Sequence, residues 1–434
     1  EKRKNGIFKA VASAAIVTCT LASMKLAGFS VLDKISKIKE KSVPGGNTTV
    51  YVADDGAIVC DSIVQGVRDC NLADGNYTFR VTGNTDGTSE TKDYPVELIN
   101  YTDDVHYTLA DGETSTTISL GDTTTDYKML VVKYHKNLTI DKGVTVTATN
   151  VNNLTYKKGM YLCVLGDLVN NGTISMTARG TYNCDGENVY LWKNTDDTYE
   201  YIPANGAAKK SEYRPYYETP KLDGNNGTNR GTGSGGLGNG IVNGLDGSNN
   251  SYVGSSTGGT SYAGGNGSGS IVRCNSSAVS ASYSQASKLK GGDGSAWDAG
   301  RETYYFAGAG AGTTGGNSSY CRLGTGNTET KASDGTGGLL LVYTKNLENA
   351  GIITSNGSNG AGAECSLYGL YRGAVGGGGS GGGSVNIFYK YITKIGELSA
   401  KGGNGGDVSK CTNANMGIYN GGNGGDGSVT LTKV

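Results

Sequence analysis

Histidine is nearly missing from this chain: its 434 residues contain two, His106 and His135. A metal site built from several imidazoles is excluded, and a histidine-based proton relay has little to draw on. Proline is scarce at 5, as are Trp at 2 and Phe at 5. Neither sign of charge prevails, since 38 basic and 39 acidic side chains leave a formal net charge of −1. Phosphate binding needs clustered Lys and Arg, so nucleic acid is not expected as a partner. No Gly-Lys-Ser/Thr loop occurs, which argues against nucleotide hydrolysis. The 9 cysteines form no Cys-x-x-Cys pair and fit no standard zinc site. No metal and no cofactor is expected.

Glycine, by contrast, is abundant: 73 residues, more than twice the usual share of about 7%, without a collagen triplet. Tyrosine numbers 28. Together with Ser, Thr and Asn it makes an exposed, hydrogen-bonding surface.

A short phrase recurs three times. It reads Leu168-Val-Asn-Asn-Gly172-Thr-Ile174-Ser-Met176, Leu347-Glu-Asn-Ala-Gly351-Ile-Ile353-Thr-Ser355 and Ile392-Thr-Lys-Ile-Gly396-Glu-Leu398-Ser-Ala400. A looser copy runs from Leu138 through Gly143 to Val146. Each copy predicts a strand, a corner and a second strand, with alternate side chains on opposite faces. The corner glycines Gly143, Gly172, Gly351 and Gly396 are expected to supply φ > 0. Units of this kind that bury one aliphatic row stack into a solenoid. The expected fold is mostly β: a right-handed parallel β-helix or β-solenoid with glycine-rich loops, plus one long N-terminal α-helix.

That helix is expected over residues 1–46. A basic head, Glu1-Lys-Arg-Lys-Asn5, precedes an apolar run at 10–24 that includes Cys19. Phe29, Leu32, Ile35 and Ile38 continue at helical spacing, and Pro44-Gly45-Gly46 ends the pattern. The segment reads either as a secretory signal or as a retained helix that anchors or polymerises the chain. Residues 47–126 read as a small β domain or cap, 127–221 as the first rungs with an excursion, and 336–434 as the returning rungs. The stretch 222–335, rich in Gly, Ser, Asn and Thr, reads either as a linker or as ordered polyglycine II packing.

In an extracellular setting the eight cysteines beyond Cys19 allow disulfides, and Cys60 with Cys70 is the local pair expected. Gly-x-Ser-x-Gly appears around Ser256 and Ser380 without a strand-to-helix frame, as chance in Gly/Ser tracts. The tracts Gly402–Asp407 and Gly421–Asp426 are similar to calcium nonapeptides but are not in tandem, so turns are favoured. No paired carboxylates beside a base can be assigned, so no catalytic residue is expected. Asn76, Asn100, Asn137, Asn153 and Asn171 lie in Asn-x-Ser/Thr sites.

The phrases Asn171–Gly180, Asn188–Asn194, Gly382–Lys390 and the terminal Gly-Gly-Asp-Gly-Ser-Val-Thr-Leu are similar to those of glycine-rich surface and tail-fibre-like proteins of Gram-positive bacteria and their phages. The resemblance spans roughly 127–434. It implies an extracellular structural or adhesive role and brings no catalytic residues. The leading expectation is a non-enzymatic, pilus-like filament subunit on the cell surface. It would form a homo-oligomer through residues 6–42, with membrane contact by the N-terminal helix before assembly. The alternatives are a secreted adhesin or phage-fibre-like module binding surface glycans and, less favoured, a polysaccharide-active β-helix enzyme.

Overall fold

The computed structural model describes residues 50–215 (except 86 and 183), 223–241 (except 239), 251–272 (except 270), 319–320, 327–329, 335–365, 374–409 (except 408) and 418–434. The helix expected over 1–46, the proposed polymerisation segment 6–42 and Cys19 lie outside them.

The protein is mostly β, with parallel sheets. The N-terminal part holds β1 (Tyr51–Val52), β2 (Ile58–Cys60), the helix α1 (Ile63–Asp69), β3 (Gly75–Thr85), β4 (Thr88–Tyr101), β5 (Val105–Tyr107) and β6 (Thr116–Leu120). There follow β7 (Met129–Tyr134), β8 (Leu138–Ile140), β9 (Val144–Ala148), β10 (Met160–Asn170), β11 (Thr173–Ser175), β12 (Val189–Lys193) and β13 (Tyr199–Ile202). Short strands come next: β14 (Ser211–Pro215), β15 (Gly240–Ile241), β16 (Ser251–Ser255), β17 (Ile271–Val272), β18 (Ser319–Tyr320) and β19 (Asn327–Glu329). The C-terminal part has β20 (Leu339–Asn349), β21 (Ile352–Thr354), β22 (Ala363–Cys365), β23 (Ala374–Val375), β24 (Ser384–Lys394), β25 (Glu397–Ser399), β26 (Ile418–Tyr419) and β27 (Ser428–Lys433).

One 11-stranded sheet runs β1-β2-β3-β4-β7-β10-β20-β24-β27, with β5 and β8 at its side. A second sheet of five runs β25-β21-β11-β9-β6. The chain crosses between them at the recurring phrase, β10 to β11, β20 to β21 and β24 to β25. Copies lie in register: Leu168 pairs with Leu347 and Leu347 with Ile392, while Ile174 pairs with Ile353 and Ile353 with Leu398. The strands of residues 50–126 are continuous with both sheets: β4 pairs in parallel with β7 of the large one and β6 with β9 of the small one.

Alternation divides the core in two. On one face of the large sheet, Leu130, Leu162, Val342 and Ile387 pack against Val146, Ile174 and Ile353 of the small sheet. On the other, Tyr161, Cys163, Leu341 and Phe388 meet α1 and β12. The helix starts at Ser62, whose Oγ accepts the Gln65 N–H at 3.2 Å. It ends on Lys133 of β7, whose Nζ donates to the carbonyls of Val67, Arg68 and Cys70 at 2.8, 3.0 and 2.6 Å. A cation at a helix C-terminus meets both the bare carbonyls and the dipole, which is why a lysine is buried there.

Candidate functional site: a glycine bundle, its tip and the opposite groove

The four corner glycines do line up on one edge of the paired sheets, but for a reason other than the one expected. Only Gly143 has positive φ, at 88°. A Cβ at Gly172 would strike the Asp141 carbonyl oxygen, one at Gly351 the Gly172 oxygen, and one at Gly396 the Gly351 oxygen. Each corner rests on the backbone of the corner before it, and no side chain fits between.

The opposite edge carries the glycine tracts. The central one, 376–383, shows a period of three. Gly377, Ser380 and Gly383 donate their N–H groups to the carbonyls of Ala361, Ser358 and Ser355. Gly378 and Gly381 donate to Ser268 and Gly265, and Gly379 and Gly382 donate to Gly422 and Gly425. In return its carbonyls accept from Gly406 and Gly403, from Gly236 and Gly233, and from Gly337. A chain with three residues per turn presents successive groups to neighbours on all sides, which is polyglycine II geometry. A Cβ at Gly378, Gly379 or Gly381 would land on a carbonyl oxygen of a neighbouring tract. The tracts at 223–238 and 256–268 therefore pack in order within the bundle.

The Gly-Gly-Asn-Gly-Gly-Asp runs follow the same period. Gly403 and Gly406 are buried while Asn404 and Asp407 face outward. The polar residues stand in for missing neighbours: Asp426 Oδ1 accepts the Gly402 N–H at 2.9 Å, and Asn423 Oδ1 the Gly405 N–H at 2.9 Å. The outermost tract repeats this, with Asp223 and Asn226 accepting from Asn423 and Asp426 at 2.7 and 2.9 Å. These carboxylates are engaged by backbone N–H groups. Among the described residues no group of three or more His, Cys, Asp or Glu side chains could hold a metal ion. Ser380 lies buried inside the bundle and Ser256 Oγ hydrogen-bonds the Lys210 N–H at 3.1 Å, so neither is a displayed nucleophile.

Tract directions follow from the pairs. The tracts at 233–237, 264–268, 355–361 and 401–407 run antiparallel to 376–383, and 422–425 runs parallel to it. Four insertions therefore leave and re-enter at the same end, away from the sheets. They are also joined to one another. β15 pairs with β17, linking the first to the second. β18 and β19 pair with β23 and β22, linking the second to the third. β23 pairs with β26, linking the third to the fourth. Eight residues at a rise of about 3.1 Å each put this tip roughly 25 Å beyond the sheet edge.

On the corner edge a groove of about 1000 Å³ crosses successive corners, lined by Thr108, Leu109, Asp141, Lys142, Asn171, Thr173, Ile352 and Glu397 among others. Its carboxylates Asp141 and Glu397 are three corners apart. At ~4.8 Å per strand that is about 14 Å, beyond the ~5–9.5 Å of paired glycosidase carboxylates. Three half-exposed tyrosines form another surface feature: Tyr127, Tyr156 and Tyr182 meet edge to face at 5.7 and 5.8 Å.

The expected Cys60–Cys70 disulfide is corrected by the structure: both are buried free thiols, as is Cys163, while Cys184 is half-buried with its Sγ donating to the Asp185 carbonyl at 3.4 Å. Cys60 Sγ turns to the Arg80 carbonyl at 3.9 Å and Cys70 Sγ to that of Val67 at 3.3 Å, each hydrogen-bonded within its own packing. Of the Asn-x-Ser/Thr sites, Asn76, Asn137, Asn153 and Asn171 are exposed. Asn100 is held by Asp74 at 2.9 Å.

The chain matches no family model, no curated protein and no solved structure.

Proposed function

We propose that this protein is an extracellular structural and adhesive component, a β-solenoid body carrying a glycine bundle that holds a binding tip. One observation carries the reading: four insertions are gathered and hydrogen-bonded to one another at the end of a bundle in which a Cβ at Gly378, Gly379 or Gly381 would strike a neighbouring carbonyl oxygen. Rigid scaffolds that present loops at one end are built for recognition. The insertions also hold Tyr252, Tyr283, Tyr304, Tyr305, Tyr320, Tyr368, Tyr371 and Tyr419. Amphipathic rings of this kind suit a glycan, with an apolar face and a polar rim. The carboxylate separation in the groove speaks for binding over hydrolysis. The test uses a glycan array and whole cells, with the full chain and a version in which 273–318 is replaced by a short Gly/Ser linker. The full chain is expected to bind and the shortened one to lose binding while keeping its circular dichroism. Equal binding by both would overturn the tip assignment, and no binding by either would overturn the adhesive role.

A filament subunit is the second reading, favoured by the last rung. β27 pairs with β24 alone among the described strands, and its Val429 and Leu431 extend the aliphatic rows of Val385 and Ile387. They are 37% and 36% exposed. An open edge that continues a core row is a surface for subunit stacking. Electron micrographs of the purified chain showing only separate particles would count against it.

A further inference from the structure

Lys157 lies just before β10 with its side chain 1% exposed. Its Nζ is 2.5 Å from Asp122 Oδ1 and 2.7 Å from Glu97 Oε2. Asp126 is farther, at 3.8 Å, and is held by Lys128 at 2.5 Å. Glu97 also fixes the acceptor loop, since its Oε1 accepts the Asp122 N–H at 2.9 Å. Asp122 Oδ1 receives two further donors, the Thr124 hydroxyl at 2.7 Å and the Thr124 N–H at 3.1 Å. Taken as chemistry, these groups are an amine nucleophile, a carboxyl electrophile, a carboxylate touching the nucleophile and a pair of oxyanion donors.

We propose that Lys157 and Asp122 join through an intramolecular isopeptide bond, with Glu97 as the proton carrier. The Glu97 carboxylate takes a proton from the ammonium. Glu97 hands that proton to Asp122 Oδ2, the freed amine then attacks the neutral acid at Cγ, and Oδ1 carries the negative charge against the Thr124 N–H and hydroxyl. Oδ2 leaves as water with two protons that Glu97 passes from Nζ, and Glu97 ends as it began. Ammonium and carboxylate thus give an amide and one water, and no oxidant or other reactant is needed. Holding the two groups in contact replaces a bimolecular encounter; Nζ is buried, while the Asp122 carboxyl is 44% exposed, which leaves the released water a way out.

Burial pulls the Lys157 ammonium toward neutrality, but its contacts with Asp122 and Glu97 outweigh this and hold its pKa above the ordinary lysine value. The resting form is an ion pair, so the amide accumulates as the folded protein ages. Once formed, it clips the loop after β6 in the small sheet to the segment entering β10 in the large one. The two residues are 35 apart in sequence.

The test is the intact mass of the full chain, fresh and after prolonged incubation in neutral buffer, followed by a protease map. The wild-type chain is expected to become lighter by one water. Its map should show a branched species joining the peptides of Asp122 and Lys157. Lys157→Ala should keep the sequence mass, and Glu97→Gln should keep it or lose water far more slowly. Near-ultraviolet circular dichroism establishes that each variant is folded. An aged wild-type chain at its full sequence mass overturns the proposal. So does water loss without the branched species, which is the signature of succinimide formation at an Asp-Gly step.

Discussion

A thiol packed away from water resists becoming an anion. Burial pushes Cys163 up to about 11, and it raises Cys60 and Cys70 in the same direction. The sign of the linkage follows. Below the ordinary thiol value, folded and unfolded chains hold the same proton and nothing is gained or lost. Above it the unfolded chain releases the proton while the folded chain keeps it, so stability falls as pH rises from about 9 to about 11 for Cys163. Denaturant midpoints should therefore drop across that window, and Cys163→Ala should flatten the drop. The same burial predicts labelling. Iodoacetamide at about pH 8, just below the free thiol range, should modify Cys184 in the native protein and spare Cys60, Cys70 and Cys163. After unfolding without reductant all four should react. Peptide mapping that finds Cys60 and Cys70 still protected would restore the disulfide.

Among the elements, the corner between paired strands separates two roles of glycine. Gly112 has φ of 84° and nothing within 4 Å of an added Cβ, so Gly112→Ala meets only the left-handed backbone cost, about 1 kcal/mol. Gly351 lacks positive φ, but its Cβ would meet the Gly172 carbonyl oxygen. Backbone of the adjoining corner must then move, at about 3 kcal/mol or more. Urea midpoints of the two variants measure the difference, and equal losses would refute the stacking account. The phrase itself made this corner legible, because aligning its glycines aligns Leu168, Leu347 and Ile392 in one row and Ile174, Ile353 and Leu398 in the next. A one-residue slip would turn every aliphatic residue outward. The cause of the glycine was hidden, since the oxygen that excludes its Cβ belongs to a residue 179 positions away, Gly172 for Gly351, brought near only when β11 and β21 pair. Lys133 and Lys157 were hidden for a similar reason. A lysine in a strand or turn reads as solvated until its distant carbonyls or carboxylates close around it.

The whole molecule joins two kinds of order that respond differently to damage. The paired sheets rest on aliphatic rows, whose burial contributes about 25 cal/mol per Å². The bundle has no such rows. It rests on backbone hydrogen bonds worth about 1 kcal/mol each, set against the largest backbone entropy loss of any residue type. It therefore depends on its anchorage: 335–338 enters β20, 376–383 enters β24 and 420–427 enters β27, while 355–362 and 401–407 leave β21 and β25. Order should flow from body to bundle and not the reverse. Gly381→Ala places a Cβ on the Gly233 carbonyl oxygen at the centre of the bundle. Hydrogen exchange should then accelerate at 376–383, 233–237 and 264–268 while β10 and β20 amides stay protected. Leu162→Ala, in the buried row of β10, should loosen both regions, because the tracts lose the strands that hold them. Glycan or cell binding should follow the bundle and be lost in both variants. Should Gly381→Ala accelerate exchange evenly through sheets and bundle, the two would be one cooperative unit, and the tip would owe its position to the molecule as a whole.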